Sequence, residues 1–281
     1  MKYYVLYNKL AGCGNSFDEA KKIAEFCPEE PSYIDVLDVN YSDLLSNAGE
    51  EDVIIISGGD GTLNRFVNDT EGLDVKCDVM YYASGTGNDF LHDLGKEKGG
   101  APFSIKEYIK DLPTATVKGK TYRFLNNVGF GIDGYCCEVG DAKKAKSDKP
   151  VNYTAIAING LLFHYKPTSA TVTVDGVEYK YKKVWLAPTM NGRFYGGGMM
   201  AAPEQERLSE DKKLSVMLFY GKGRLKTLMA FPSIFKGEHV KRKDMVVIHT
   251  GKEISVKFDS PAAVQIDGET ILGVTEYTAR V

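Results

Sequence analysis

The chain has 281 residues, a length that allows two domains or one large one. Hydrophobic residues make up 43% of it and charged residues 26%, which predicts a folded protein with a sizeable core rather than a disordered chain. The net charge of −3 argues against a general nucleic-acid-binding protein, so we expect no nucleic-acid partner. Five cysteines with no CxxC pair fit neither a disulfide framework nor a zinc site, and they predict a cytoplasmic protein.

The sequence contains no segment suited to crossing a membrane. The best candidate, 155–163, is about half a bilayer span long and contains Asn159. The first residues lack the apolar region of a signal peptide. Three basic clusters, at 143–146, 180–183 and 241–243, are either solvated surface or a face that approaches anionic lipid headgroups. We therefore expect a soluble protein that meets lipid, if it uses lipid, at the membrane surface.

The first 115 or so residues alternate strand and helix patterns. Short apolar runs predict the strands, and a capping box formed by Ser16 and Glu19 predicts the start of the first helix. The predicted strands are 3–7, 33–37, 53–57 and 75–83, and the other predicted helices lie at 41–48, 63–67, 90–94 and 105–112. Repeated strand–helix units predict a parallel sheet with helices on both faces, which is a three-layer α/β domain.

The second half has a mainly antiparallel β pattern. Alternating residues flank Asp175-Gly176, a pair suited to a type I′ turn, and predict a hairpin from 170 to 186. Further predicted strands are 213–220, 245–250, 254–258 and 262–266, and one helix is predicted at 153–163. This pattern is typical of a β-sandwich-like domain.

A polar stretch bracketed by proline and glycine places the domain boundary near Val117. We therefore predict an α/β domain over 1–117 and a mainly β domain over 118–275. The tail, 276–281, either stays with the β domain or returns to the first one.

The stretch from Ser57 to Thr62 is the strongest local signal. It follows the buried run 53–56 and precedes a helix pattern, so it joins a strand to a helix through a glycine-rich turn. Glycines let the backbone approach a polyphosphate, and the N–H groups at a helix start point at it. Asp60 would repel phosphate unless it binds Mg²⁺ or organises charge around a transferring phosphoryl group.

A second glycine-rich loop, 84–90, follows the fourth strand. The ends of neighbouring parallel strands share one edge of a sheet, so Asp60 and Asp89 should lie near each other. One such loop alone is more often an ordinary turn. Two in successive strand–helix units favour a site for a nucleotide with Mg²⁺.

Three glycine-containing stretches lie in the second half. Taken alone, 126–134 and 191–199 predict bulges or tight turns, and Asp267-Gly268 predicts a hairpin turn. None of the three indicates a function by itself.

The motifs become specific when they are taken together and in order. They are GGDGTLN at 58–64, SGTGNDF at 84–90, FLNNVGFGIDG at 124–134, NGRFYGGGMMAAP at 191–203 and VQIDGE at 264–269. This set resembles the diacylglycerol kinase catalytic-domain family, which includes bacterial soluble lipid kinases and the sphingosine and ceramide kinases. The resemblance spans nearly the whole chain. It implies a two-domain, ATP- and Mg²⁺-dependent lipid kinase with ATP between the domains, peripheral association with the inner face of the membrane, and possible homodimer formation.

The resemblance also implies roles for individual residues. It matches Asp267 to the general base, with Glu269 completing that motif, and Asp60 to the loop that holds ATP phosphates and Mg²⁺. Asp60 is also an alternative base, and Asp211 falls where bacterial members bind a structural Mg²⁺. The nucleotide-binding positions implied are Asn8, Gly58, Gly59, Asp60, Gly61, Thr62, Gly85, Thr86, Asn88 and Asp89.

The chain departs from the family pattern at three positions. Lys9 replaces the usual proline of the first nucleotide loop, which runs from Asn8 to Gly12, Arg65 replaces an acid, and Lys212 replaces a glycine beside Asp211. These departures motivate a non-catalytic nucleotide- or lipid-binding protein as one alternative.

A NAD kinase-like phosphotransferase, which shares the GGDGT loop, is the other alternative. For a lipid kinase we expect diacylglycerol as the acceptor. Its apolar wall would include Phe130, Phe194, Tyr195 and Met199, unless these residues are ordinary core.

Overall fold

The chain folds into two compact units, Met1–Leu112 and Pro113–Val281. The structure is a computed structural model that describes residues 1–11, 15–85, 87–146 and 151–281. The division falls before the predicted boundary at Val117, because residues just after Leu112 already form a strand of the second unit.

The first unit is an α/β domain built on a five-stranded sheet. Its strands are β1 (Tyr3–Tyr7), β2 (Ser32–Asp35), β3 (Val53–Gly58), β4 (Asp78–Ala83) and β5 (Phe103–Ser104). Its helices are α1 (Ser16–Lys21), α2 (Tyr41–Asn47), α3 (Asp60–Asp69), α4 (Asp89–Asp93) and α5 (Lys106–Lys110). The strand order is β2-β1-β3-β4-β5, and β1 to β4 pair in parallel. The two-residue β5 is antiparallel to β4, so the sheet is mixed rather than fully parallel as predicted.

Local sequence accounts for most of these elements. All six residues of β3 are buried, as expected for a central parallel strand. The Asn40 side chain accepts hydrogen bonds from the N–H groups of Ser42 and Asp43 and so caps α2. The predicted capping box at Ser16 is wrong, because Ser16 is the buried first residue of α1 and no side chain caps this helix.

The second unit contains twelve strands and three α-helices within the described residues. Its strands are β6 (Thr114–Val117), β7 (Lys120–Arg123), β8 (Asn127–Gly131), β9 (Thr168–Val174), β10 (Val177–Val184), β11 (Leu186–Met190), β12 (Phe194–Tyr195), β13 (Met199–Met200), β14 (Leu214–Phe219), β15 (Val246–Gly251), β16 (Glu253–Ile266) and β17 (Glu269–Arg280). Its helices are α6 (Ile132–Lys144), α7 (Tyr153–Asn159) and α8 (Arg224–Ala230). A π-helical turn, Gly160–His164, continues α7, and a 3₁₀ turn, Phe231–Lys236, continues α8.

Ten strands of this unit form one antiparallel sheet in the order β15-β14-β11-β8-β16-β17-β6-β7, with β9 attached to β16 and β10 to β9. The hairpin prediction at Asp175-Gly176 is confirmed, and both residues have the positive φ that a type I′ turn requires. The strands predicted at 254–258 and 262–266 are one strand, β16, with a register shift between them. The tail lies in β17, where Glu276 to Arg280 pair with β16 and Tyr277 to Arg280 also pair with β6.

The stretch predicted as a bulge or turn at 126–134 is instead the buried strand β8 followed by α6. The tight turn at 191–199 is confirmed, since Gly196, Gly197 and Gly198 all have positive φ between β12 and β13. The hairpin turn at Asp267-Gly268 is confirmed in the same way between β16 and β17.

Gly134 marks a close contact between α6 and β16. A Cβ there would lie 2.8 Å from the carbonyl carbon of Ala263. Ala normally stabilises a helix by about 1 kcal/mol relative to Gly, but a forced backbone shift costs roughly 1–3 kcal/mol. We expect Gly134→Ala to lower the melting temperature of the second unit by up to about 8 °C in calorimetry.

Gly223→Ala is the control for this substitution, because a Cβ at Gly223 meets no atom within 4 Å. A raised melting temperature for Gly134→Ala would contradict the close approach.

Candidate active site

The motif residues of the first unit form two loops in direct contact. The Asp60 N–H donates to the Gly87 carbonyl oxygen over 3.0 Å, and the N–H groups of Ser84 and Gly85 both donate to the Gly58 carbonyl oxygen over 3.0 Å. A Cβ at Gly85 would lie 2.5 Å from the Gly59 Cα and N atoms. The two glycine loops therefore pack backbone against backbone, and side chains at these positions would force them apart.

Asp60 holds the second loop through its carboxylate. One carboxylate oxygen accepts the Asp89 N–H at 2.7 Å, and the other accepts the Phe90 N–H at 3.1 Å. The acceptor thus covers the first N–H groups of α4, where negative charge is favourable. The predicted proximity of Asp60 and Asp89 is confirmed. The contact favours Asp60 as an organiser of the loops.

Tyr81 is a part of this site that the sequence did not reveal. Its hydroxyl lies 3.1 Å from both the Gly58 carbonyl oxygen and Asn88 Oδ1, and these two acceptors share its one proton. Asn88 in turn donates from Nδ2 to the Gly85 carbonyl oxygen over 2.8 Å. Burial raises the pKa of the Tyr81 hydroxyl well above its usual range, so it remains a neutral donor. In the sequence Tyr81 is one aromatic of a buried strand, and nothing distinguishes it from core.

The remaining predicted nucleotide positions vary in what surrounds them. Thr62 is buried and packs against Gly58, where a Cβ would overlap its side chain. Around a Cβ placed on Gly61 there is open space. Thr86 and Gly12 lie outside the described residues.

The first predicted nucleotide loop begins with a tight turn at Asn8. Its side-chain oxygen accepts the Leu10 N–H at 3.0 Å. Lys9, which replaces the family's proline, places Nζ 3.1 Å from Asp35 and 2.9 Å from Asp38. The substitution therefore brings an ion pair to the end of β2.

In the second unit, Asp267 accepts three backbone hydrogen bonds. Its Oδ2 accepts the Leu125 N–H at 2.6 Å, and its Oδ1 accepts those of Asn126 at 2.7 Å and Asn127 at 2.9 Å. The Asp267 N–H returns a bond to the Asn127 carbonyl oxygen over 3.0 Å. The hairpin turn between β16 and β17 is thereby fixed to the turn that leads into the first residue of β8, which we call the 125–127 turn.

Two further side chains bind the 125–127 turn. Asn191 donates from Nδ2 to the Leu125 carbonyl oxygen over 2.8 Å, and its N–H donates to the Asn126 carbonyl oxygen over 2.8 Å. The Arg207 guanidinium donates to the Leu125 carbonyl oxygen and to Asn126 Oδ1. Three motifs that are far apart in sequence thus converge on one turn. Arg207 lies outside every motif, so the sequence did not indicate it.

Glu269 differs from Asp267 in its surroundings. It is the exposed first residue of β17, two positions after Asp267. Among the described residues, no hydrogen bond or ion pair to its carboxylate is found. The VQIDGE motif therefore contains one acid held by the backbone and one acid presented to solvent.

Asp133 is a buried acid at the start of α6. Its Oδ1 accepts the Gly134 N–H at 2.9 Å, and Gln265 donates to its Oδ2 over 3.4 Å. Burial, which disfavours the charged form, raises the pKa of this carboxyl to about 6 despite these bonds. Asp133 therefore changes charge near neutral pH.

The surroundings of Asp211 do not fit a structural Mg²⁺ site. Its carboxylate pairs with Lys213 at 2.7 Å, and this bond lowers its pKa. Within the described part of the chain, no group of three or more acidic, histidine or cysteine side chains could hold a metal. Lys212 has a φ of +46°, a conformation that suits the glycine found there in the family pattern.

The residues predicted to line a lipid wall lie in the core. Phe130, Phe194, Tyr195 and Met199 are all buried. Phe130 packs on Phe258 with ring centroids 4.2 Å apart. The alternative of ordinary core packing is therefore favoured for these four side chains.

Comparison with known proteins agrees with this arrangement of motifs. Residues 126–281, more than half of the chain, match the family described as the YegS C-terminal NAD kinase beta sandwich-like domain. Residues 2–118 match the diacylglycerol kinase catalytic domain. The chain belongs to the diacylglycerol kinase family.

Relatives of this family cover most of the chain. The "Putative lipid kinase YtlR" of Bacillus subtilis is 26% identical over 90% of this chain and 84% of its own length. A diacylglycerol kinase of Mycobacterium tuberculosis is 24% identical over 78% of this chain and 70% of its own length. A crystal structure titled as a putative diacylglycerol kinase from Bacillus anthracis has the same fold, with a TM-score of 0.69, 20% identity and coverage of 99% and 91% of the two chains. Among the described residues of the present chain, no helix is long and apolar enough to span a bilayer.

The contacts of Asp60 lead to a prediction for Asp60→Asn. An amide can accept one of the two N–H bonds, but its NH₂ group opposes the other, and a lost bond costs roughly 1–3 kcal/mol. We expect the Asp89 and Phe90 amides to exchange with deuterium about tenfold faster or more. The control is Asp69→Asn, which removes only an exposed pair with Arg65. Unchanged exchange would show that Asp60 does not hold the second loop.

The raised pKa of Asp133 predicts a dependence of stability on pH. The folded protein binds the extra proton between the ordinary pKa of 3.8 and about 6, so stabilisation is full below pH 3.8 and is lost as pH rises through 6. The difference corresponds to about 3 kcal/mol at most. In urea titrations we expect Asp133→Asn to exceed the parent in unfolding free energy at pH 7.5 and to match it at pH 3.5.

Asp259→Asn, at an exposed site, is the control and should show no such crossover. A difference between Asp133→Asn and the parent that is the same at both pH values would contradict the assignment.

Proposed function

We propose that this protein is an ATP-dependent lipid kinase that transfers the γ-phosphoryl group to a hydroxyl of diacylglycerol, forming phosphatidic acid. The observation that carries the proposal is the convergence of three motifs on the 125–127 turn, which leaves Glu269 as an exposed acid beside the fixed Asp267. Membership of the diacylglycerol kinase family and the names of its relatives support the same reaction class.

The first unit suits the binding of ATP phosphates. Phosphoryl transfer depends on positioning and on stabilising charge, and helix N-termini with glycine turns supply N–H groups for this purpose. The ten-residue helix α3 starts at Asp60, directly after Gly58 and Gly59. When ATP binds, Mg²⁺ would neutralise phosphate charge. Both oxygens of Asp60 accept backbone N–H groups, so we assign Asp60 to loop organisation rather than to direct metal binding.

We assign the proton acceptor to Glu269 and a positioning role to Asp267. Three N–H bonds direct the Asp267 carboxylate to the backbone, so its charge holds the 125–127 turn in place. Glu269 is exposed, so its carboxylate is accessible to accept a proton from a lipid hydroxyl. The assignment of Asp267 as the base, which the resemblance implies, is the alternative.

The test is turnover of ATP by the purified chain with Mg²⁺ and hydroxyl lipids in mixed micelles. The panel contains diacylglycerol, phosphatidylglycerol, a sphingoid base and a prenol, with NAD as a separate acceptor. We expect labelled phosphate to appear on diacylglycerol. Turnover of NAD alone would instead support the NAD kinase-like alternative. ATP binding without turnover of any acceptor would support the non-catalytic alternative.

Variants within the same assay separate the two acids. General-base removal typically costs about 10²–10⁴ in rate, so we expect Glu269→Gln to lower kcat by that factor with the KM for ATP within about threefold. Asp267→Asn should lower kcat as well, but with faster amide exchange at residues 125–127, because it replaces one of the two acceptor oxygens by an NH₂ group that opposes the turn's N–H donors. The matched control is Glu276→Gln, which changes an exposed acid on the same strand. Near-normal turnover of Glu269→Gln would overturn its role as the base.

A further inference from the structure

An unusual share of the exposed apolar side chains lies in two short segments of the second unit. Fourteen large hydrophobic residues are exposed among the described residues, and six of them belong to 153–164 and 224–236. The most exposed of these six are Phe163 at 69%, Leu225 at 67% and Met229 at 63%. Single exposed apolar residues need no explanation, whereas a cluster of them marks an interaction surface.

The two segments are joined on their buried side. Leu161 of the π-helical turn and Ala230 of α8 belong to one buried cluster. The Arg224 guanidinium donates to the Leu161 carbonyl oxygen over 2.9 Å, so it joins α8 to the π-helical turn. Residues Leu225 and Met229 are four apart on α8, on the side opposite to the buried Thr227 and Ala230. Their side chains therefore project away from the core that both segments share.

We define the docking face as the exposed apolar residues of these segments apart from Tyr153, which packs on the Lys144 ammonium. Its members are Ile158, Phe163, Leu225, Met229 and Phe235.

The charge around the docking face is strongly positive. The segment from Lys222 to Asp244 contains seven Lys or Arg residues and two acids, Glu238 and Asp244, a net charge of +5 with histidine neutral. Asp244 pairs with Lys222 over 3.0 Å. Residues 151–166 contain no acid at all. Because the whole chain carries −3, everything outside the Lys222 to Asp244 segment sums to −8. Of the basic residues, Lys226 and Lys236 are exposed and adjoin members of the docking face in sequence.

We propose that the docking face binds the surface of an anionic lipid bilayer. Apolar side chains that enter the acyl boundary together with basic residues at headgroup level are the combination that anchors proteins to anionic membranes. A second copy of this chain is a poorer partner. In a symmetric interface the basic residues around the docking face, which we call the basic surround, would lie opposite the same basic residues of the other copy. This inference rests on the proposed function, because a lipid kinase must reach an acceptor held in a membrane.

The first test measures binding of the full chain, without ATP, to vesicles by flotation. We expect at least tenfold stronger partitioning onto phosphatidylcholine vesicles that contain 30% phosphatidylglycerol than onto pure phosphatidylcholine, and weaker partitioning in high salt. The triple variant Phe163→Ser, Leu225→Ser, Met229→Ser should lose at least tenfold. The double variant Val177→Ser, Leu272→Ser, at exposed sites elsewhere, is the control and should bind as the parent does. Equal losses in both variants, or no binding by the parent, would overturn the proposal.

A charge-matched pair tests the basic surround. Lys226→Glu with Lys236→Glu should weaken binding to the anionic vesicles at least tenfold. Lys180→Glu with Lys182→Glu changes the net charge by the same amount in an exposed basic cluster outside the docking face, and it should have little effect. If both pairs weaken binding equally, attraction is a property of the net charge and the docking face is not the contact.

Two further readouts separate this inference from its alternatives. The triple variant should keep parental turnover on a water-dispersed, short-chain diacylglycerol and lose turnover on vesicle-embedded acceptor. If the triple variant loses vesicle binding and the parent turns over no acceptor, the proposed function is wrong while the assignment of the docking face holds. A dimeric parent in analytical ultracentrifugation with a monomeric triple variant would identify the face as a subunit interface and overturn the membrane assignment.

Discussion

Three backbone N–H groups of the 125–127 turn point at a single carboxylate, that of Asp267, and much of the second unit depends on this contact. The turn leads into β8, which lies between β11 and β16 within the ten-stranded sheet. A buried N–H group without an acceptor costs roughly 1–3 kcal/mol, and a charged acceptor makes the strongest bonds. One acid therefore satisfies three donors, joins the β16–β17 hairpin to the entrance of β8, and lets Asn191 and Arg207 bind the carbonyl side of the same turn.

The first unit uses the same device on a smaller scale. The Asp60 carboxylate satisfies the first two N–H groups of α4 and joins one glycine loop to the next. A resemblance to a kinase family naturally assigns such acids to catalysis. Their contacts give them a structural reason to be acids, whatever their chemical role. Loss of activity on replacing Asp60 or Asp267 therefore does not by itself identify a base, and a measurement on the backbone they hold is needed beside the rate.

The elements that could be predicted from the sequence are those with a local cause. Asp175-Gly176 forms its turn because both residues tolerate positive φ, and β3 begins with four buried β-branched residues, 53–56. The part that failed depends on distant partners. The glycines at 129 and 131 suggested a bulge, but β8 is a sheet-centre strand. A Cβ on Gly131 would lie 2.5 Å from the Trp185 carbonyl oxygen and 2.8 Å from the Leu186 Cα, where β11 begins. The glycine there is therefore required by a partner strand and not by its own neighbours in sequence.

In the candidate site, too, features with a local cause were predicted and features that depend on distant partners were not. The motif acids and glycines were found because their types and order are specific, and strand ends brought Asp60 near Asp89 as expected. Tyr81 and Arg207 were missed, because each acts through one hydrogen-bonding group whose direction only the tertiary structure sets. Conversely, the aromatic and methionine side chains expected to meet lipid are buried, since composition cannot tell an apolar site wall from a core.

Whole-chain charge and local charge lead to different conclusions about partners. A net charge of −3 predicts weak repulsion from an anionic surface. Screening at physiological ionic strength limits such forces to about 8 Å, so a membrane senses mainly the residues that touch it. Around the docking face those residues sum to a positive charge, while most of the acids that make the chain negative overall lie in other segments. An asymmetric distribution of this kind orients the protein as well as attracting it, because only one approach brings the basic surround and the exposed apolar side chains to the bilayer together.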